Sequence, residues 1–263
     1  MPVGMSDENR DHLLVGFGSA VDNTLHQNYW QKRYDIDYIS WHQPAGNERM
    51  QNVLERVLTE ELAGKKPEDI KVLVPLCGKS KDNYRMYRRG FTVVGVDWTR
   101  KPVEDFFSEN SIETDPNSAS PYVRSKDGRV IIGVGDWFTF GNSSESENQL
   151  PFDKYDIIWD RGCFDSINVN LREKYAAKIV SLLSPGGVYI LDSKVFDTKG
   201  YKGPPLPLSE ADIQKYYGAD LSVETRERGQ WVHHCGHDVT SHWKGRDITD
   251  MEQFVYVLKH KKD

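Results

Sequence analysis

Apolar and polar positions alternate in blocks from about residue 70 onward, and the blocks predict strands and helices in turn. Short apolar, β-branched runs have the length and flanking turns of strands, at 70–74, 91–96, 130–134, 155–159 and 188–191. The segments between them favour helices, most clearly at 171–183, where apolar residues recur at helical spacing. Strands that alternate with helices pair in parallel through right-handed crossovers. The pattern therefore predicts an α/β fold with a doubly wound, Rossmann-like sheet.

The two ends of the chain have different patterns. The first 65 residues predict two helices, at 22–34 and 47–62, and the apolar stripe of the second is typical of core packing. Near the other end, 221–225 and 254–258 predict a closing pair of strands. Residues 111–128 are polar and predict a surface insertion. Because no linker divides the chain, we expect a single domain over 1–263.

Composition narrows the classes of partner. The 263 residues carry a net charge of −6, which argues against a protein that binds nucleic acid by neutralising phosphates. No apolar stretch approaches the roughly 20 residues of a membrane span. Three distant cysteines, Cys77, Cys163 and Cys235, form no disulfide framework and favour a reducing compartment. The sequence predicts a cytoplasmic protein without a membrane or nucleic-acid partner.

Acidic residues stand at the ends of three predicted strands, namely Asp97, Asp136 and Asp160. Ligands of doubly wound sheets bind beyond the carboxyl ends of the strands. One strand-end aspartate is weak support, since it is often only a turn former. Three together, in register with the strand pattern, favour a ligand crevice at this edge.

The loop after the first strand narrows the class of ligand. A dinucleotide calls for G-x-G-x-x-G and a nucleoside triphosphate for G-x-x-x-x-G-K-[ST]. The loop 75–78 has only Gly78, and Leu73 stands where the first glycine of the second motif belongs. With so little glycine to wrap a phosphate, the sequence favours a nucleoside ligand without phosphates.

S-adenosylmethionine is such a ligand, with an adenosine and a sulfonium cation. Asp97 lies about 20 residues after Gly78, where this fold places the acid that binds a ribose diol. Trp98 follows and is a candidate to lie against the adenine. Several of the seven tryptophans fall near predicted crevice segments, and aromatic faces attract cations by roughly 0.5–2 kcal/mol. Each tryptophan taken alone is as well explained as a core or rim residue.

Four sequence pieces resemble the thiopurine S-methyltransferase family of class I methyltransferases. They are Val74-Pro75-Leu76-Cys77-Gly78-Lys79, Val93-Val94-Gly95-Val96-Asp97, Ile158-Trp159-Asp160-Arg161-Gly162 and Gly203-Pro204-Pro205. The resemblance implies a seven-stranded sheet, mostly parallel with an antiparallel last strand. It also implies that 1–65 form an N-terminal helical lid over the cofactor and that 66–263 form the catalytic sheet.

The resemblance further implies roles for individual residues. Together with Gly78 and Trp98, the expected S-adenosylmethionine contacts are Trp30, Tyr34, Trp41, Leu76, Asp97, Asp136, Trp137 and Arg161. Trp41, Arg161, Gly203, Pro204 and Pro205 are expected to face the methyl acceptor. No catalytic acid or base is assigned, because an anionic sulfur acceptor needs mainly alignment. Arg161 is expected to hold that acceptor, unless it only pairs with Asp160.

The methyl acceptor is the open question. Relatives that act on thiopurines have an arginine in the stretch that resembles 239–243, and this sequence has its nearest arginine at Arg246. An aromatic or heterocyclic thiol is the expected acceptor of a monomeric enzyme. The alternatives are a halide, thiocyanate or chalcogen methyltransferase and, from another class, a nucleotide-binding module or an NAD-dependent oxidoreductase. The histidine cluster at 233–237 lacks a second cluster to complete a metal site, so no metal is predicted.

Overall fold

The computed structural model describes residues 25–141, 146–231, 248 and 250–262. Its helices are α1 Gln27–Asp35, α2 Glu48–Glu60, α3 Lys81–Arg88, α4 Arg100–Glu109, α5 Arg172–Leu182 and α6 Glu210–Tyr217. Its strands are β1 Lys71–Val74, β2 Thr92–Asp97, β3 Tyr122–Arg124, β4 Val130–Val134, β5 Phe140–Gly141, β6 Asn148–Gln149, β7 Tyr155–Arg161, β8 Leu183–Val195, β9 Leu221–Gln230 and β10 Glu252–His260. Among these described residues no helix combines the length and the apolar character that a bilayer span requires.

One sheet carries the fold, in the order β3-β4-β2-β1-β7-β8-β10-β9. Five neighbouring strands, in the order β4, β2, β1, β7 and β8, are mutually parallel, as the alternation of strands and helices predicts. The last strand, β10, lies antiparallel between β8 and β9, which confirms the predicted closing pair. Strands β5 and β6 form a separate small ladder.

The sheet has eight strands rather than the predicted seven. The additional strand, β3, lies in the polar segment 111–128 and pairs antiparallel with the outer edge of β4. Tyr122, Val123 and Arg124 are all half-buried, so this short edge strand has no apolar run that a sequence pattern could detect. Its position covers an edge that would otherwise expose unpaired backbone groups.

Apolar cores cover both faces of the sheet. On one face, the buried residues of α2 and α4 pack over Val72 and Val74 of β1. On the other face, α5 and α6 pack over Leu73 and its neighbours. The predicted stripe of the second helix is confirmed, because the side chains at 50, 53, 54 and 57 are fully enclosed.

Local sequence signals set several helix starts. The Ser80 hydroxyl accepts a hydrogen bond from the Asp82 amide at 3.2 Å and so caps α3. Ser209 and Asp212 form a reciprocal capping box at α6. The start of α3 matters for function, because it places the loop between β1 and α3 at the carboxyl edge of the sheet.

Candidate functional site

A cleft opens at the carboxyl ends of β1, β2, β4 and β7. It consists of two adjoining spaces, a larger and a smaller one, both open to solvent, which share Trp30, Leu76, Trp98 and Ser166. The cleft therefore has two connected parts.

The cleft gathers nearly all of the residues singled out in the sequence. Those lining the larger space are Trp30, Tyr34, Trp41, Leu76, Gly78, Asp97, Trp98, Arg161, Pro204 and Pro205. Asp136 and Trp137 line the smaller space. Gly203 is not among the lining residues; the structure places the two prolines after it at the cleft wall instead. In the segment predicted as a lid, α1 and the loop after it border the cleft, whereas α2 packs in the core.

The loop after β1 makes a close turn that depends on Gly78. Leu76 and Gly78 both have left-handed backbone conformations, with φ of 44° and 50°. A Cβ atom on Gly78 would lie 2.7 Å from the hydroxyl oxygen of Tyr34, which is too close for unbonded atoms. The absence of a side chain at position 78 therefore lets α1 approach the loop.

Asp97 is buried at the end of β2 and binds this loop. One of its oxygens accepts a hydrogen bond from the Gly78 amide at 2.8 Å. The other accepts from the amide and the hydroxyl of Thr99, each at 2.9 Å. Burial raises the pKa of the carboxyl above its usual value, against the effect of these donors. A carboxylate has about four acceptor positions, so one remains for a ligand hydroxyl.

An aromatic wall, formed by Trp30, Tyr34 and Trp41, borders the cleft opposite that loop. Trp41 packs edge-on against Trp30 and Tyr34, with ring centroids 5.4 and 5.7 Å apart. Arg33 lies behind it, with its guanidinium carbon 4.3 Å from the Tyr38 ring centroid and 4.7 Å from that of Trp41. The faces of such rings attract cations.

The far end of the cleft is shaped around Trp137. Asp136 accepts a hydrogen bond from the Phe138 amide at 3.0 Å and thereby caps the short turn that carries Trp137. The Lys178 ammonium lies 3.9 Å from the centroid of the Trp137 ring and donates to the carbonyl oxygens of Trp137 and Phe140. Burial lowers the pKa of Lys178 to about 7. These contacts hold a flat, mainly apolar surface beside Trp98.

Arg161 and Asp160 point to opposite sides and do not pair. The Arg161 guanidinium donates to the carbonyl oxygen of Trp41 at 2.5 Å, which joins β7 to the aromatic wall. Asp160 accepts from the hydroxyls of Tyr175 and Tyr189 at 2.6 and 2.8 Å, and its burial raises its pKa to about 6. The alternative that Arg161 serves only to pair with Asp160 is therefore wrong.

Two groups in the cleft were not found from the sequence. His42 lies in the larger space. Its pKa is lowered to about 4, mainly by burial and to a smaller extent by the positive charge of Lys79. A base so weak at neutral pH is poorly suited to proton abstraction. Lys194 lies in the same space, bonded to the buried carboxylates of Asp165 and Asp192. Asp192 and Lys194 lie one and three residues after the predicted strand 188–191. Because ligands of such sheets bind beyond the carboxyl ends of the strands, these two residues could have been predicted as cleft residues.

Cys77 and Cys163 also line the larger space, and both are buried. The Cys163 thiol lies 2.8 Å from the carbonyl oxygen of Pro75, to which it donates. Burial raises the pKa of both thiols well above the usual value. They stay protonated at neutral pH and are therefore poor nucleophiles.

Two features of the sequence fall outside the described residues. The histidine cluster at 233–237 and the stretch 239–243 both belong to the undescribed part of the chain. Within the described ranges, no group of three or more histidine, cysteine or acidic side chains is arranged to hold a metal ion.

The sheet order and the position of the cleft define the class of protein. It is a Rossmann-like α/β protein whose cleft lies beyond the carboxyl ends of the parallel strands, where this class binds nucleosides and nucleotides. Residues 25–261 match the thiopurine S-methyltransferase family. The chain belongs to that family and is a methyltransferase enzyme.

Named relatives agree with the family. A probable thiopurine S-methyltransferase of Danio rerio is 27% identical over 211 residues, which cover 78% of this chain and 85% of the relative. A thiopurine S-methyltransferase of Azotobacter vinelandii is 26% identical over 239 residues, 90% of this chain and all of the relative.

A solved structure has the same fold. It is the 1,6-didemethyltoxoflavin-N1-methyltransferase of Burkholderia thailandensis with bound S-adenosylhomocysteine. It superposes with a TM-score of 0.58 at 15% identity and covers 89% of this chain and 87% of its own.

Proposed function

We propose that this protein transfers a methyl group from S-adenosylmethionine to the sulfur of an aromatic or heterocyclic thiol. The family match over residues 25–261 is the observation that carries the proposal. The cleft supports it, because its loop has too little glycine for a phosphate and its strand-end carboxylate retains an acceptor position. These features fit an adenosine without phosphates.

The cofactor is assigned to the side of the cleft near β1, β2 and β4. Trp98 and Trp137 would border the adenine, and Asp97 would accept a hydrogen bond from the ribose diol. The aromatic wall would face the sulfonium, since aromatic faces attract cations. When bound, S-adenosylmethionine supplies a methyl group on a positively charged sulfur that leaves as a neutral thioether.

The acceptor is assigned to the side near Arg161, Pro204 and Pro205. The Arg161 guanidinium, fixed by Trp41, would attract a thiolate and align its sulfur. No acid or base is assigned, because aromatic thiols ionise readily and the leaving group needs no proton. Proximity and alignment account for about 7–11 kcal/mol of barrier in such reactions.

A transfer assay with labelled S-adenosylmethionine tests the proposal on a thiopurine, thiophenol and iodide. We expect methylation of one or both thiols, with iodide much poorer, because Trp41, Pro204 and Pro205 line this space and suit an aromatic ring. Turnover on iodide alone would favour the halide alternative. If no thiol is methylated although S-adenosylhomocysteine binds tightly, the chain would be a binding module. The cytoplasmic location and the monomeric state stay predictions.

A further inference from the structure

A group of polar side chains lies on one face of β7, β8 and β10 at the acceptor side of the cleft, and we call it the polar row. In the strand register Arg161 of β7 lies beside Asp192 of β8, and Lys194 of β8 lies beside Gln253 of β10. Paired neighbours, and alternate residues along one strand, share a face of the sheet. Trp159, two residues before Arg161, therefore belongs to the same row.

Lys194 is the charged centre of this row. Its ammonium lies 3.1 Å from an oxygen of Asp165 and 3.0 Å from an oxygen of Asp192. Both carboxylates are enclosed, with side chains 0% and 1% exposed, whereas the lysine side chain is 9% exposed and lines the cleft. An ammonium has three N–H donors, and the carboxylates take two. The third is available to a molecule in the cleft.

The two carboxylates fix the position of the ammonium. Asp192 also accepts a hydrogen bond from the side-chain amide of Gln253 at 2.6 Å, and Asp165 is fully enclosed. Although burial opposes the positive charge, Asp165 and Asp192 raise the pKa of Lys194 above its usual value. The lysine is therefore a fixed hydrogen-bond donor and not a base.

Trp159 lies in the same row as Lys194. Its side chain is 1% exposed and lines the cleft, whereas its indole nitrogen is enclosed and has no hydrogen-bond partner among the described residues. Trp159 therefore provides an apolar surface at this point, and Lys194 is the donor that borders the cleft. A buried ion cluster is seldom more stabilising than apolar packing. The cluster around Lys194 thus points to a role in ligand binding.

We propose that Lys194 is a specificity residue, which donates a hydrogen bond to a heteroatom of the methyl acceptor next to the reacting sulfur. The site thereby selects heterocyclic thiols over thiols of plain carbon rings. This inference rests on the proposed function, because it takes the acceptor side of the cleft as given.

Two aromatic thiols test the inference. Pyrimidine-2-thiol has ring nitrogens next to the carbon that carries the sulfur, whereas thiophenol has a ring of carbon atoms only. Lys194→Met removes the donor and keeps a similar chain length. We expect it to lower kcat/KM for pyrimidine-2-thiol about 10- to 100-fold more than kcat/KM for thiophenol, which is the effect of losing a hydrogen bond to a charged group. Equal changes with both thiols, or no change with either, would overturn the inference.

A matched control lies at the other end of β7. Lys65 pairs with Asp156 at 2.5 Å, away from the cleft, so Lys65→Met removes a lysine–aspartate pair without touching the acceptor. Lys194→Met leaves two buried carboxylates without their cation. The double variant Lys194→Met and Asp165→Asn is therefore measured beside it, because it keeps the net charge of the cluster. The same selective loss is expected in it, with folding checked by thermal melting.

Calorimetry separates this inference from the proposed function. Pyrimidine-2-thiol is titrated into the S-adenosylhomocysteine complexes of the wild type and the Lys194 variants. If no thiol is methylated but pyrimidine-2-thiol binds and loses affinity in the variants, the proposed function fails, whereas the hydrogen bond from Lys194 to the heterocycle stands. If thiols are methylated but affinity and kcat/KM do not depend on Lys194, the function stands and the inference fails. Failure of the wild type to bind pyrimidine-2-thiol at all also overturns the inference.

Discussion

Asp97 joins the structure of the cleft loop to the binding of the ligand. Its carboxylate accepts three hydrogen bonds from Gly78 and Thr99 and thereby closes the loop over the end of β2. The remaining acceptor position is the one proposed to bind the ribose diol. A substitution at this residue therefore changes both the loop and the ligand contact, and the two effects need separate measurements.

Asp97→Ala is expected to raise the Kd for S-adenosylhomocysteine about 10- to 100-fold, since a hydrogen bond to a charged group contributes about 1.5–3 kcal/mol. Isothermal calorimetry measures the affinity, and thermal melting measures how much stability is lost with the hydrogen bonds to the loop. Asp97→Asn, which keeps one acceptor oxygen, is the comparison and should lose less. An unchanged Kd in Asp97→Ala would remove this residue from the cofactor site.

Gly78→Ala is expected to weaken the binding of S-adenosylhomocysteine, because the new Cβ meets the Tyr34 hydroxyl at 2.7 Å and displaces α1. Tyr34→Phe in the same chain removes that hydroxyl and should restore part of the affinity. Gly64 also has a positive φ, of 83°, but a Cβ there meets nothing within 4 Å. Gly64→Ala is thus the control for backbone strain alone. The absence of any rescue by Tyr34→Phe would contradict the proposed clash.

At the scale of elements, α1 and its following loop depend on Arg33 for their shape. The Arg33 guanidinium donates to the Tyr38 carbonyl at 2.5 Å, the Tyr29 hydroxyl at 2.7 Å and the Ser40 hydroxyl at 3.2 Å. Gln27 further joins α1 to the end of β2 by donating to the Trp98 carbonyl at 2.8 Å. The helix is short and mainly polar, so these contacts rather than an apolar stripe hold it at the cleft.

Arg33→Met is expected to increase hydrogen exchange in residues 27–46 while the exchange of the sheet stays the same. The substitution leaves the Tyr38 carbonyl and two hydroxyls without their donor, and the aromatic wall loses its support. Affinity for S-adenosylhomocysteine should fall with it. Arg228 stacks on Phe254 at 5.7 Å, away from the cleft, so Arg228→Met is the matched control. Unchanged exchange over 27–46 would show that Arg33 does not position the wall.

At the scale of the whole molecule, Asp160 joins the cleft to the opposite core. Its oxygens accept from Tyr175 of α5, Tyr189 of β8 and the amides of Cys163 and Phe164. Burial raises its pKa from 3.8 to about 6, so the folded chain holds this proton more tightly than the unfolded chain. The contribution of Asp160 to the free energy of unfolding is fully present below about pH 4 and is lost as the pH rises through about 6.

Between about pH 4 and 6 the free energy of unfolding is predicted to fall by about 3 kcal/mol, since one pKa unit corresponds to about 1.4 kcal/mol. Urea unfolding of the wild type and of Asp160→Asn, which does not titrate, isolates the effect as a difference between two curves. We expect the wild type to lose stability relative to the variant between about pH 4 and 6. Parallel curves would mean that the pKa is not raised.

Much of the fold was predictable because strand and helix periods are local. The parallel strands, the apolar stripe of α2 and the antiparallel closing pair all follow from residue patterns. Strand β3 was missed because its edge position, and not its composition, makes it a strand. Of the three strand-end acids expected at a crevice, Asp97 and Asp136 line the cleft, since parallel strands bring their carboxyl ends to one edge, whereas Asp160 is enclosed and faces the core.

The sequence by itself determined the alternation of elements, the single-glycine loop and the motifs of the methyltransferase family, since each depends on residues that are close in the chain. Only the tertiary structure decided that Arg161 contacts Trp41 rather than Asp160, and that Lys194 meets a carboxylate 29 residues away. Such contacts depend on which faces of the strands and loops meet. Sheet register and packing across the whole molecule decide that, and no local pattern records it.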